Sequence, residues 1–254
     1  KLNKIEARLN FDDPRFRGIL MHKIMESFVK STLEDLPNDS NSRALLIQIF
    51  DNIVEKHFIP SDFISFWKKK FEHRIPHILQ GEKIRRARAN PFAQEAFGKL
   101  VLRLADGDDF VISGRIDRID ISSDGFWIYD YKTGVVSREN LAKCSPQLDV
   151  EAMMLQSGSV LGLDKSEVIG LSLVGLGGDA KEITNLINKK DLKTRYTALR
   201  KYLDNLICHN SPFVAEATDQ LAGNDYKHLS RYGEWSAVSR YQEVILEKKR
   251  RTKD

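Results

Sequence analysis

The sequence predicts an α/β fold, in which a mixed sheet with an antiparallel hairpin joins a parallel strand through a helical crossover, flanked by an N-terminal helical region. Three observations carry this. Apolar residues recur at helical spacing over residues 14–88. Strand-like patterning with turn signals takes over at about residue 95. A nearly continuous apolar run, EVIGLSLVGL at 167–176, then ends in Gly177 and Gly178, as a strand buried on both faces does.

The first helix is expected over 14–36. It opens at Pro14, with Phe16, Ile19, Leu20, Ile24, Phe28 and Leu33 near helical spacing. The loop PNDSNS at 37–42 supplies an N-cap for a helix at 43–57. A further helix at 61–88 is rich in basic and aromatic residues, and Pro76 should kink or break it. KLVLRLADGDDFVISGRIDRIDISSDGFWIYDYKTG reads as three strands, with turns at ADGDD and SSDG. A helix at 146–160, the 167–176 strand and a helix at 188–209 follow, and the tail closes on EKKRRTKD, a charged run expected to fray. The whole reads as a single domain, 1–254, with a helical part (1–90), a sheet core (91–186) and a C-terminal helix and tail (187–254).

Composition narrows the class. The 254 residues are 41% hydrophobic, enough for a sizeable core. A net charge of +4, from 40 basic and 36 acidic residues, is mildly basic and a weak pointer to nucleic acid. Cys144 and Cys208 have no metal-site spacing and exclude a disulfide framework within the chain. They fit a reducing, cytoplasmic compartment. No apolar run is long enough to cross a membrane, and no signal peptide is visible. The chain begins at Lys1, as a piece of a larger protein would.

The informative stretch is GRIDRIDISSDGFWIYDYKTG. If Ser122 to Gly125 make the turn, Ile121 pairs with Phe126, and Asp117 then lies opposite Asp130. Carboxylates facing each other across strands repel, and burial worsens this unless a proton or a cation compensates. A hard divalent cation suits two such oxygens. Strand alternation sets Lys132 on the same face as Asp130, where it can act on water or a phosphate oxygen. The same spacing also suits an edge hairpin with solvated charges and ion pairs to Arg115 or Arg118. The D-x-K triplet recurs at Asp191/Lys193 and Asp225/Lys227, but only Asp130/Lys132 has a second acid on a neighbouring strand.

At these residues the chain resembles the RecB-type branch of the PD-(D/E)XK nucleases. GRIDRID…YDYKTG followed by PQL is similar to that branch's central motif, and GILMH at 18–22 to its G-x-x-x-H helix. NDYKHLSRYGEW, with Tyr226, His228 and Arg231, is similar to the end of the nuclease domain in bacterial AddB-type helicase–nuclease subunits. The resemblance implies a PD-(D/E)XK, restriction-endonuclease-like core and hydrolysis of DNA phosphodiesters during double-strand-break repair. It implies Mg²⁺, or Mn²⁺ in its place, held by His22, Asp117, Asp130 and the Tyr131 carbonyl. It implies Lys132 as catalytic lysine and Gln147 as a residue orienting the lysine or touching the DNA backbone. Glu95, placed at the start of the first strand, is a weaker supporting acid. The family's tyrosine four residues after the glutamine is replaced here by Glu151. DNA and an AddA-type helicase–nuclease subunit are the implied partners, with no membrane and no iron–sulfur cluster, since two distant cysteines cannot hold one. The rival reading is an inactive nuclease fold that binds DNA or scaffolds a partner.

Overall fold

The computed structural model describes residues 14–57, 59–134, 136–165, 167–177 and 181–208. Three helices come first: α1 (Pro14–Ser31), α2 (Asp39–Lys56) and α3 (Ser61–Arg88). The strands are β1 (Asn90–Arg103), β2 (Asp109–Ile121), β3 (Phe126–Lys132), β4 (Val168–Gly175) and β5 (Glu182–Leu186). Helix α4 (Arg138–Ser157) lies between β3 and β4, and α5 (Lys189–Leu203) follows β5. The five strands form one sheet in chain order. Every neighbouring pair is antiparallel except β3–β4, which is parallel and takes α4 as its crossover. The expected mixed sheet, hairpin and crossover are therefore present, and so is the helical N-terminal region. The chain divides into two compact units, 1–204 and 205–254. Most of the second, with NDYKHLSRYGEW and the charged tail, lies outside the described residues.

Several boundaries differ from expectation for local reasons. Helix α1 stops at Ser31, where the Thr32 hydroxyl turns back onto the Phe28 carbonyl at 2.8 Å. Leu33, counted as part of the apolar stripe, is exposed. Helix α2 starts four residues earlier than expected, because Asn38 caps it by accepting the Asn41 N–H. Pro76 does not break α3, which runs unbroken through it. Buried Phe71, Ile75, Ile78 and Leu79 flank the proline and hold both halves against the core, offsetting the ~3 kcal/mol that an internal proline costs. Helix α4 begins at Arg138 rather than 146, so Pro146 also lies inside a helix. Strand β5 was not foreseen, since only four of its five residues EITNL are part-buried and they carry no apolar alternation.

The turn between β2 and β3 matches the expected register. Ile121 pairs with Phe126, and the Ser122 N–H donates to the Gly125 carbonyl at 3.0 Å. Gly125 is required here: its φ is 148°, and a Cβ would lie 2.4 Å from the Glu167 carbonyl oxygen.

Strand alternation sorts β3 into two functional faces. Trp127, Tyr129 and Tyr131 join the core built by α1, α2 and α3, with Phe28, Leu46 and Ile75 fully buried among them. Asp130 points the other way, where Gln147 of α4 meets it. On the helical side the sheet is fastened by buried charge. Arg118 of β2 grips Asp120 through two hydrogen bonds at 2.6 and 2.8 Å and donates to Glu82 of α3 at 2.6 Å. Glu82 also accepts from Arg85 and Arg86, and Arg85 and Arg88 reach Glu182 on β5. Glu82, Arg118 and Asp120 are wholly buried. Burial works to raise the Glu82 pKa, but the surrounding guanidinium groups win and hold it down at about 2. The edge-hairpin alternative fails on this point, because β2 and β3 are inner strands and Arg118 is committed to Glu82 and Asp120.

The Glu82→Gln substitution leaves Arg118 and Arg85 short of a counter-charge and should destabilise the fold by about 3–5 kcal/mol, measured by urea unfolding at pH 7. With its pKa depressed in the folded state, Glu82 stabilises above its ordinary value of 4.5 and loses that contribution as pH falls toward 2. The gap between wild type and variant should accordingly shrink in acid.

Candidate metal centre

Four segments bring the candidate side chains together. His22 comes from the middle of α1, Glu95 from β1, Asp117 from β2, and Asp130 with Lys132 from the end of β3. The β2–β3 ladder ends at Arg118–Tyr129, one step before the two acids. There Asp117 takes over the strand's role: its Oδ2 accepts the Tyr131 backbone N–H at 2.8 Å. The Asp117 carboxylate is thereby aimed at the end of β3.

His22 Nδ1 lies 3.4 Å from the same oxygen of Asp117. Its ring also makes a hydrogen bond to the backbone of Tyr131 and packs edge-on against the Tyr131 ring at 6.1 Å. Burial works to lower the His22 pKa, but the hydrogen bond to Asp117 and the charges of Asp117 and Asp130 outweigh it and raise the pKa. Glu95 falls between the paired residues Gln94–Arg118 and Ala96–Ile116, abreast of Asp117. Its backbone has φ of 53°, a left-handed conformation unusual for a strand residue other than glycine. His22, Glu95 and Asp117 each offer a ligand atom within 4.8 Å of the others. Glu95 is thus inside the strand and inside the cluster, where sequence had set it at a strand start as a minor acid. The signal that hid it is its backbone, which leaves the regular pattern.

Asp130 is almost fully buried and its two oxygens meet Lys132 Nζ at 2.7 and 3.0 Å. Gln147 Nε2 donates to Asp130 Oδ1 at 3.0 Å and to Glu151 Oε1 at 3.0 Å. Asp130 therefore stands beside the His22–Glu95–Asp117 group and is engaged by the lysine and the glutamine. Its pKa is raised, first by burial and then by the Asp117 charge, against the pull of Lys132 and His22. Glu95 is raised for the same first reason, with Asp117 and Glu26 adding to it. Asp130 and Glu95, pushed toward their protonated forms by burial and by the neighbouring Asp117 charge, are what a divalent cation relieves, and the set of imidazole nitrogen and carboxylate oxygens suits Mg²⁺, Mn²⁺ or Zn²⁺.

Glu151 occupies the position where the sequence pattern led one to expect tyrosine. Its side chain is 5% exposed, and Oε2 has no hydrogen-bond partner among the described residues. Burial, with Asp130 and Asp117 adding to it, lifts its pKa to about 8 against the Gln147 hydrogen bond. It is a buried carboxyl whose surroundings favour the protonated form. The other D-x-K triplets separate from this one. Asp191 caps α5, in a box with Asn188, while Asp225/Lys227 lies outside the described residues.

Glu151→Gln should remove a pH dependence of stability. Below pH 4.5 both folded and unfolded chains hold the proton, so Glu151 costs nothing. Between 4.5 and about 8 the unfolded chain releases it and the folded chain does not, which erodes stability by about 1.4 kcal/mol per pH unit. In urea unfolding with chelator present, the variant should gain on wild type steadily from pH 5 to pH 8; parallel curves would show that Glu151 ionises in the fold at its ordinary pKa.

Comparison with curated proteins gives no match. The family model described as "PD-(D/E)XK nuclease superfamily" matches residues 2–231. Members of this superfamily are in general nucleases that use divalent metal ions. With that match spanning nearly all of the sequence, and with a mixed sheet delivering paired acids and a lysine to one place, the chain belongs to the PD-(D/E)XK nuclease superfamily.

Proposed function

We propose that the chain is a metal-dependent deoxyribonuclease that hydrolyses DNA phosphodiester bonds. The observation that carries this reading is the His22–Glu95–Asp117 ligand group standing beside the Asp130–Lys132 pair at the end of β3. His22, Glu95, Asp117, Asp130 and the Tyr131 carbonyl are the groups that would hold the ion, with Mg²⁺ the hard cation best suited to a carboxylate-rich set. When bound, the cation supplies Lewis-acid charge to the scissile phosphate and makes water more acidic.

The remaining chemistry belongs to the chain itself. Lys132 contributes a positive charge that stabilises the phosphate oxygens as negative charge grows in the transition state. Asp130 fixes the lysine's ammonium through both carboxylate oxygens, and Gln147 fixes Asp130 in turn. Glu151, held neutral, anchors the glutamine without adding another negative charge to a site already crowded with them. The RecB-like motif further supports an exonuclease acting on broken DNA ends, with an AddA-type helicase–nuclease subunit as partner in recombinational repair.

Linear DNA should be degraded in Mg²⁺ and spared in chelator. Lys132→Ala and Asp117→Ala should each lower the rate by ~10²-fold or more, read on gels under single-turnover conditions. Cleavage by these variants at the wild-type rate would remove the site from the reaction. Calorimetry separates an active enzyme from an inert scaffold: wild type should take up Mg²⁺ at one high-affinity locus, and Asp117→Ala should not.

A further inference from the structure

A cavity of about 310 Å³ opens between α1, α3 and the residues just after β3. Its wall includes Arg17, Trp67, Lys70, Arg74, Thr133 and Gly134. Thr133 and Gly134 directly follow Lys132 in the chain, and Arg17 lies on the same helix as His22. The cavity therefore adjoins the metal centre through two independent segments. Its volume falls in the range of clefts that take small molecules, ~300–1,000 Å³.

The charges in this wall differ from most of the other cations of α3. Arg85, Arg86 and Arg88 are neutralised by Glu82 and Glu182, Lys68 by Asp51 and Lys83 by Asp39. Arg17, Lys70 and Arg74 have no carboxylate partner among the described residues, and Lys70 rests over the Phe66 ring at 4.1 Å from its centre. Lys70 and Arg74 are four apart on α3 and so share one helix face. Unpaired cations around an aromatic-lined hollow are the two halves of a nucleotide site: guanidinium and ammonium groups for phosphate, an indole for the base.

We propose that this cavity holds one nucleotide of single-stranded DNA next to the scissile bond. The base stacks on Trp67, and Arg17, Lys70 and Arg74 receive the phosphates. A single strand is the occupant because a base in a duplex is already stacked on its neighbours and must be unstacked before it meets an indole. The proposal rests on the reading of the chain as a deoxyribonuclease, and it makes that nuclease one that draws a single strand past its metal centre.

The test separates binding from cleavage. A fluorescent (dT)15 oligonucleotide is titrated, by anisotropy and in chelator, with full-length Lys132→Ala protein. In that background Lys70→Ala/Arg74→Ala should weaken binding by about 10-fold and flatten the slope of log K against log salt by about 1.4, from two lost phosphate contacts on a single strand. Trp67→Ala should cost about 10-fold, and Trp67→Phe should restore most of it. Lys69→Ala, an exposed change on the same helix outside the cavity, should leave binding unchanged. Duplex of equal length should compete at least about 10-fold less well than the single strand. Unchanged affinity and slope in the double variant would overturn the site, as would an equal loss for Lys69→Ala or equal competition by duplex. Circular dichroism melting confirms that each variant is folded. Cleavage is measured separately on wild type with Mg²⁺, so a protein that cuts DNA but ignores these substitutions keeps its proposed activity and loses this pocket. One that binds through the pocket but never cuts does the reverse.

Discussion

The candidate metal centre depends on the salt-bridged contact between Glu82 and Arg118. These two groups are 0% exposed, and their carboxylate and guanidinium approach to 2.6 Å. Such a pair has little margin: a buried charge is tolerable only where its partner is in place, so the geometry of α3 on β2 is held narrowly. Asp120 and Arg85 complete the set, and Glu182 extends it through Arg85 and Arg88 to the far edge of the sheet. The network thus spans helix, central hairpin and edge strand, and fixes their relative positions more tightly than apolar packing alone, which tolerates repacking.

That rigidity passes to the site through one peptide bond. Arg118 and Asp117 are neighbours on β2 and face opposite sides of the sheet. What locks Arg118 from below holds Asp117 in place above. Asp117 then orders what surrounds it, taking the Tyr131 N–H and the His22 ring. The parallel pairing of β3 with β4 adds a second constraint, since Leu176 N–H donates to the Lys132 carbonyl at 2.7 Å and ties down the backbone that carries the lysine. Strand, helix and loop meet at the candidate site because each is separately anchored away from it.

Much of this was legible in the sequence and some was not. The hairpin register could be counted from the SSDG turn, because a strand's period of two leaves no freedom once the turn is set. The crossover followed from an apolar strand after an apolar helix. The partners of Arg118 could not be read: Asp117 and Asp130 looked like its natural counter-ions, whereas it meets Asp120 and, 36 residues away, Glu82. Tertiary ion pairs leave no periodic trace. Pro76 misled for the opposite reason, since a local rule was overridden by the packing around it, and Pro146 likewise lies inside a helix. Strand β5 exists because β4 offers it an edge and Glu182 a charged anchor, neither visible in five residues of mixed polarity.

The left-handed backbone at Glu95 has an evolutionary side. Glycine adopts that conformation freely, and a glutamate there carries a strain of order 1–3 kcal/mol. Selection for folding alone would drift toward glycine at this position and leave a gap in the ligand group. Under the proposed function, stability and chemistry therefore pull on residue 95 in opposite directions. A library sorted only for heat resistance would strip this carboxylate early, and a library sorted for activity would keep a residue that the fold alone does not favour.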